Sequence, residues 1–272
     1  MEPPETGVQT LCVGLNNSRP FNMMEKVRRS SPTGPELTIV VPVLDEEAIL
    51  PAFLIGLEGQ EDRPVLQVIL VDGGSRDRTI DLFESRASGW SARGWTASVV
   101  VVPEPGRALQ MNAGARLGSG EALLFLHADT HLPRGATAAI LKALAEPDVA
   151  GGGFRHSFHE RGLLLRLISA WATARSLTRR IHYGDQAIFV RRALFERLGG
   201  FPEVPLFEDL GLSRALRKLG RIRTLPIAAE TSARRLRQGG IGRTALRFAW
   251  IKLRRALGAD PARLMAGYRN IR

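Results

Sequence analysis

The sequence of 272 residues contains a single cysteine, Cys12. That excludes an intramolecular disulfide and makes a reducing compartment, the cytoplasm, the expected setting. No unbroken apolar run reaches the roughly 18 residues that a membrane-spanning helix needs; the nearest stretch, 162–174, is interrupted by Arg166. The N-terminus lacks the charged, apolar and cleavage regions of a signal peptide. Aromatic residues are only 6% of the chain and are not interleaved with the basic ones, so a stacking platform for nucleic acid is not expected. The turn after the first strand-like run reads Pro42-Val43-Leu44-Asp45-Glu46, with no Gly-x-Gly-x-x-Gly, which tells against NAD or FAD. A P-loop and a Gly-x-Ser-x-Gly elbow are also absent, and the five histidines have no zinc-site spacing with cysteine.

Acids are scarce where bases are dense. From Gly211 to Arg272 there are 16 Arg or Lys against Glu230 and Asp260, a balance of +14, while the whole chain carries +11. Residues 1–210 therefore sum to −3. A basic end on a near-neutral body points to an anionic partner, a phosphate, nucleic acid or a membrane surface, although a bias toward arginine codons contributes.

What is present is a hydrophobic fraction of 44%, enough for one sizeable core. Leu123-Leu124-Phe125-Leu126 suits a buried parallel strand and runs directly into His127-Ala128-Asp129. Strand-like runs at 37–43, 65–71 and 97–102 precede it. Helical patterns follow them, opening at Asp45-Glu46-Glu47, near Asp77 and at Arg107. Four alternations predict a mostly parallel sheet with crossover helices. The second half reads less regularly. Helices are expected at 136–145, 163–177, 191–198 and from Phe207-Glu208-Asp209 to Leu219, with a last one at 242–257. Strands are expected at 149–158, 186–190 and 221–225, and a loop at 231–240. Gly151-Gly152-Gly153 implies close backbone approach. Residues 1–35, with five prolines and no period, read as a disordered tail or an over-called start, with Met23 or Met24 as alternative initiators.

Several acids lie where chemistry is expected, and each has a plainer alternative. Ligands of open α/β sheets bind outside the carboxyl ends of the strands. Asp129 there either caps the next helix or binds a hard divalent cation holding a phosphate. Asp72, at a strand end before two glycines, is a turn aspartate or a contact to a nucleotide. Glu208 and Asp209 open a helix, as caps or as a general base for an acceptor hydroxyl. Arg234 and Arg235 are a surface charge run or a diphosphate clamp. The final helix carries Leu246, Trp250, Leu253 and Leu257 on one stripe flanked by arginines. Packing of that stripe on its own domain is the favoured expectation, with contact to an anionic membrane surface as the alternative.

Taken together, these pieces resemble the family-2 glycosyltransferases. Thr38 to Glu47 looks like that family's opening strand and Pro-x-x-Asn-Glu-Glu turn. Val71-Asp72-Gly73-Gly74-Ser75-Arg76-Asp77 looks like its Val-Asp-Asp-Gly-Ser-x-Asp. Gly106 to Gly114 looks like its helix with Asn-x-Gly, His127-Ala128-Asp129 sits at its Asp-x-Asp, and Phe207-Glu208-Asp209 looks like its Glu-Asp helix. Ser232-Ala233-Arg234-Arg235 resembles a loop of a small bacterial single-domain subgroup, whose relatives are often labelled carotenoid-acid glycosyltransferases.

The resemblance implies a glycosyltransferase A fold, spanning residues 36–230 between the tail 1–35 and a basic loop and amphipathic helix at 231–272. It implies transfer of a sugar, with inversion, from a nucleoside-diphosphate sugar to a hydroxyl or carboxylate acceptor, a lipid-linked or carotenoid-like molecule among the candidates. Pro42, Glu46, Asp72, Arg107, His127, Arg234 and Arg235 would then bind the nucleotide sugar, and Asp129 would hold Mg2+ or Mn2+. Gly184, Asp185 and Gln186 would line the acceptor side, and Asp209, with Glu208 beside it, would be the base. His127 and Gly73 depart from the family's acids at those positions. The alternatives are a nucleotidyltransferase that makes an activated sugar, and a non-catalytic sugar-nucleotide binder. Nucleic acid is not an expected partner; the inner face of the cell membrane is a possible site of peripheral attachment.

Overall fold

A computed structural model describes residues 8–12, 34–60, 64–260 and 264. The strands are β1 (Val8–Cys12), β2 (Leu37–Val43), β3 (Leu66–Asp72), β4 (Thr96–Val101), β5 (Ala122–Phe125), β6 (Thr130–His131), β7 (Val149–Phe158), β8 (Ile188–Arg191) and β9 (Arg221–Thr231). The helices are α1 (Leu50–Glu58), α2 (Thr79–Ala87), α3 (Arg107–Leu117), α4 (Ala136–Ala145), α5 (Leu163–Arg179), α6 (Arg192–Arg197), α7 (Glu208–Leu216), α8 (Arg234–Gln238) and α9 (Ile241–Ala256). They form one sheet in the order β1-β4-β3-β2-β5-β8-β7-β9-β6. The first five strands in that order are parallel, whereas β8 runs antiparallel to both β5 and β7.

The continuous apolar runs of β2, β3 and β5 follow from burial on both faces. Leu37, Ile39 and Val41 of β2 point into a core shared with Phe53, Phe83 and Trp90, while Val40 joins Met111 of α3 and Leu212 of α7 on the other face. Glycines 151–153 are explained by the tightness of the sheet beyond β5. A Cβ at Gly151 would collide with the Phe189 carbonyl, at Gly152 with that of Arg223, and at Gly153 with the His182 ring.

Four expectations are corrected. Val8–Cys12 of the expected unstructured tail is a strand at the sheet edge, in parallel register with Ala97–Val101; the rest of residues 1–33 lies outside the described residues. Helix α1 begins at Leu50 rather than at Asp45, because Asp45 and Glu47 are engaged by the neighbouring loop. Strand β9 runs to Thr231, past the expected end at 225, and the expected loop after it contains α8. The stripe of α9 is not packed inward: Leu246, Trp250, Leu253 and Leu257 are 74%, 60%, 49% and 78% exposed. Among the described residues, no helix is long and apolar enough to cross a membrane.

Candidate active site

The strand order reverses at β2. The chain passes from β2 through β3 to β4 on one side, then returns to place β5 on the other. The β2–β5 ladder ends where Leu126 N–H donates to the Val40 carbonyl. Pro42 lies two residues further along β2, on the edge where its missing N–H has no strand to meet. The two strands part there, and the crevice between their carboxyl ends is the expected ligand site of such a sheet.

The wall formed by β2 and β3 is laced together by its acids. The Arg76 N–H donates to Asp45 Oδ1 at 2.7 Å, the Arg78 N–H to Glu47 Oε2 at 3.1 Å, and the Glu47 N–H to Asp77 Oδ2 at 3.0 Å. Asp72 is buried, and its Oδ2 accepts from the N–H groups of Gly74 and Ser75. The carboxylate that was expected to bind a nucleotide is thus committed first to its own turn. Gln110 of α3, unremarked in the sequence, donates from Nε2 to the carbonyls of both Val43 and Val71 at 2.8 Å and so ties the two strand ends together. A side chain at Gly73 would press on this Gln110 amide and on Pro105, which gives a physical reason for glycine where the family carries an acid.

The opposite lip holds Asp129. Its carbonyl accepts from Ser232 N–H at 3.0 Å, and Thr130 pairs with Thr231 across β6 and β9. This brings the end of β9 beside it and with it the start of α8. Arg234 reaches across the crevice to Glu46, 3.5 Å between nitrogen and oxygen, joining residues 188 apart in sequence. Glu46 and Arg234 therefore meet beyond the ends of β2 and β9, and the backbone of Asp129 is joined to the same end of β9. The side chain of Arg235 lies outside the described part. Arg107 opens α3, one turn before the Gln110 that ties the ends of β2 and β3. Among the described residues no three His, Cys, Asp or Glu side chains form a group able to hold a metal alone. One carboxylate at an open crevice fits instead an Mg2+ or Mn2+ shared with a diphosphate, since such ions take one or two protein carboxylates and keep the rest for substrate and water.

The far side is built around the 3₁₀ turn Gly184–Gln186. The Gly184 N–H donates to Asp209 Oδ2 at 3.0 Å, and the His127 ring lies so close to the Gly184 Cα that a Cβ there would strike it. His127 and Asp209 thus stand on either side of one glycine. Burial, then the neighbouring Glu208 charge, push the Asp209 carboxyl from 3.8 up to about 7. Asp185 beside it is half-exposed and lies 3.5 Å from His156. Gln186 is not at a surface: it is wholly buried, donates to the Phe154 carbonyl at 3.0 Å and accepts from Arg175 at 2.6 Å, so its expected acceptor contact is corrected. Arg175 of α5 also lies over the Tyr183 ring, 4.1 Å from its centroid. Neither Arg175 nor Tyr183 was singled out from the sequence. The only available signal was an arginine among the apolar residues of α5.

Three residues other than glycine next to these elements have left-handed backbone: Asp45 at φ 52°, Ala187 at φ 48° and Phe207 at φ 70°. Each conformation costs on the order of 1 kcal/mol for a side-chain-bearing residue and persists only where the surroundings impose it. One precedes α1, one follows the 184–186 turn, and one immediately precedes Glu208-Asp209.

The profile of the glycosyl transferase family 2 matches residues 38–196, more than half of the chain. The chain belongs to that family. A PGL/p-HBAD biosynthesis glycosyltransferase of Mycobacterium tuberculosis is 31% identical over 177 residues, which cover 61% of this chain and 63% of that protein; the chain thus spans less than two thirds of the relative's length. Among solved structures, the mannosyltransferase PcManGT from Pyrobaculum calidifontis, in complex with GDP-Man and Mn2+, shares 25% identity at a TM-score of 0.59. That match covers 75% of this chain and 61% of the other. TarS of S. aureus, at 18% identity and TM-score 0.55, supports the fold alone, with 74% and 61% covered. The α/β fold is glycosyltransferase A, as the sequence resemblance implied.

Proposed function

We propose that the chain is an inverting glycosyltransferase that moves a sugar from a nucleoside-diphosphate donor to an acceptor hydroxyl. The observation that carries this reading is the division of the crevice. Glu46 and Asp129, which follow the two strands that part there, together with Arg234 would make up its donor side. Asp209, with its raised pKa, stands on the other, across Gly184 and His127. The donor's diphosphate would lie on the first side, where Arg234 can offer its planar donors to the phosphate oxygens. Asp129 would hold a divalent ion there, and that ion would neutralise charge on the diphosphate. PcManGT, bound to GDP-Man and Mn2+, supports this kind of donor and ion.

The chemistry is a single displacement. The acceptor oxygen bonds to the anomeric carbon as the bond from that carbon to the phosphate oxygen breaks, and the nucleoside diphosphate leaves. The hydroxyl proton passes to an Asp209 carboxylate oxygen. A base with a pKa near 7 is matched to this task, being about half ionised at neutral pH and basic enough to take the proton. The half-buried ring of His127 packs against Gly184 between the two sides.

Calorimetric titration of UDP, GDP, dTDP and CDP, with Mn2+ and with chelator, tests the donor site. The expected result is metal-dependent binding of one of them, weakened about tenfold or more (about 1.4 kcal/mol) by Asp129→Ala. Binding that ignores both chelator and this substitution would remove Asp129 from the donor site.

A further inference from the structure

Helices α5 and α9 are adjacent and share a small core: Leu165 and Ile168 of the first pack with Ile241 and Phe248 of the second, around Ala233 and Leu236. With their inner faces occupied, both helices present apolar residues outward. On α5, Leu163, Leu167 and Trp171 recur every fourth position and are 74%, 58% and 57% exposed. On α9, the stripe from Leu246 to Leu257 is exposed throughout. Soluble surfaces rarely carry large apolar residues in such repeated rows without a partner.

Charge narrows the partner. Neither helix contains an acid. Helix α5 carries Arg166, Arg175 and Arg179, and α9 carries Arg243, Arg247, Lys252, Arg254 and Arg255. Pairing with a second copy of the same face would bring cations against cations. Leu and Trp rows on helices whose charged residues are all basic suit an anionic lipid surface, where the apolar residues enter the headgroup boundary and the cations meet lipid phosphates.

The position of the two helices gives this face a purpose. On its inner side α9 packs Ile251 against Leu206 and Phe207, the residues that lead into Glu208-Asp209. Arg175 of α5 lies between Trp171 of the exposed row and Tyr183 of the Gly184 turn, 5.4 Å and 4.1 Å from the ring centroids. The supports of the Asp209 side are therefore the same two helices that turn apolar rows outward. We infer that α5 and α9 together form a platform that seats the protein on an anionic membrane and sets the Asp209 side of the crevice at that interface. This does not depend on the reaction proposed above.

The test is sedimentation of the full chain with phosphatidylcholine vesicles, with and without about one third phosphatidylserine. Tryptophan emission provides a second readout: Trp90 and Trp95 are buried, so a blue shift reports Trp171 and Trp250. The expected result is at least tenfold stronger partitioning to the anionic vesicles, weakened by salt as the Debye length shrinks, with a blue shift. Trp250→Gln with Leu253→Gln, and separately Leu163→Gln with Leu167→Gln, should each lower partitioning about tenfold, with circular dichroism unchanged because these side chains are exposed. Equal partitioning to both vesicle types would overturn the platform. So would double variants that bind like the parent, or a dimer in light scattering that these substitutions convert to monomer.

Discussion

The two sides of the crevice are built by different means. The Asp45–Asp77 side sits on parallel strands whose ends are tied by backbone hydrogen bonds, by Gln110 and by acids that grip the next loop's N–H groups. The Asp209 side sits on a short 3₁₀ turn and two left-handed residues, Ala187 and Phe207, backed by a buried arginine and aromatic rings. One side is held by regular structure and carries one left-handed residue, Asp45. The other is held by close packing around Gly184, and burial there raises the pKa of its carboxylate. A rigid cradle for a charged leaving group, and a desolvated place for a base, call for these two constructions respectively.

The largest expected effect breaks the second side. Asp209→Asn should lower transfer about 10²–10⁴-fold, the usual worth of a positioned base, while nucleoside-diphosphate affinity stays within about twofold. In the parent, kcat/KM should rise with pH and level off above about 7. Stability has the opposite sign. The folded carboxyl titrates above its unfolded value of 3.8, so stability falls as pH rises from about 4 to about 7 and then holds. Asp209→Asn should abolish that loss, and the variant should be relatively more stable at pH 8, as thermal melts across pH would show.

Gly184→Ala is next and asks whether packing alone maintains this side. Its Cβ would enter the His127 ring, so His127 or the turn must move, at a cost of roughly 1–3 kcal/mol. The expected pattern is loss of transfer with donor binding retained. A variant that transfers normally would show the turn to be tolerant and the comparison overstated.

How much of this was legible follows from the same contrast. The strand ends carrying Asp72 and Asp129 lie in periodic elements with apolar runs, and order along the chain was enough to place them. Asp129 and Arg234 are 105 residues apart, and their meeting depends on β6 pairing with the end of β9, a two-residue bridge with no pattern to detect. Gln186 was placed on the acceptor side by the family resemblance; only the fold shows its amide spent on Phe154 and Arg175. The stripe of α9 was visible as a stripe, but which way it faced was decided by the inner face, where Ile251 and Phe248 already fill the available core. Asp45-Glu46-Glu47 has the composition of a helix start, and the acids were claimed by the adjacent loop instead.

A third substitution breaks the first side. Gln110→Leu keeps the volume of a buried side chain but removes two donors to the Val43 and Val71 carbonyls. A loss of about 1–3 kcal/mol in urea unfolding is expected. Because the ladder between β2 and β3 persists, the crevice should survive, and nucleoside-diphosphate binding should weaken only modestly.

The smallest expected effect on stability is that of Arg234→Ala. Its guanidinium is two-fifths exposed and meets Glu46 only at 3.5 Å, and an exposed pair of this kind contributes about 0–1 kcal/mol. The fold should hardly register its loss. If Arg234 serves the diphosphate, affinity for the nucleoside diphosphate should nonetheless fall about tenfold, and Arg234→Lys, which keeps the charge without the planar fork, should recover only part of it. An equal, small loss in both melting temperature and affinity would place Arg234 with the supports of the cradle, leaving Asp129 as its one residue directed at the ligand. That distinction matters because α8, like the end of β9 before it, comes from the basic end of the chain, and Arg234 is the side chain by which that end reaches Glu46.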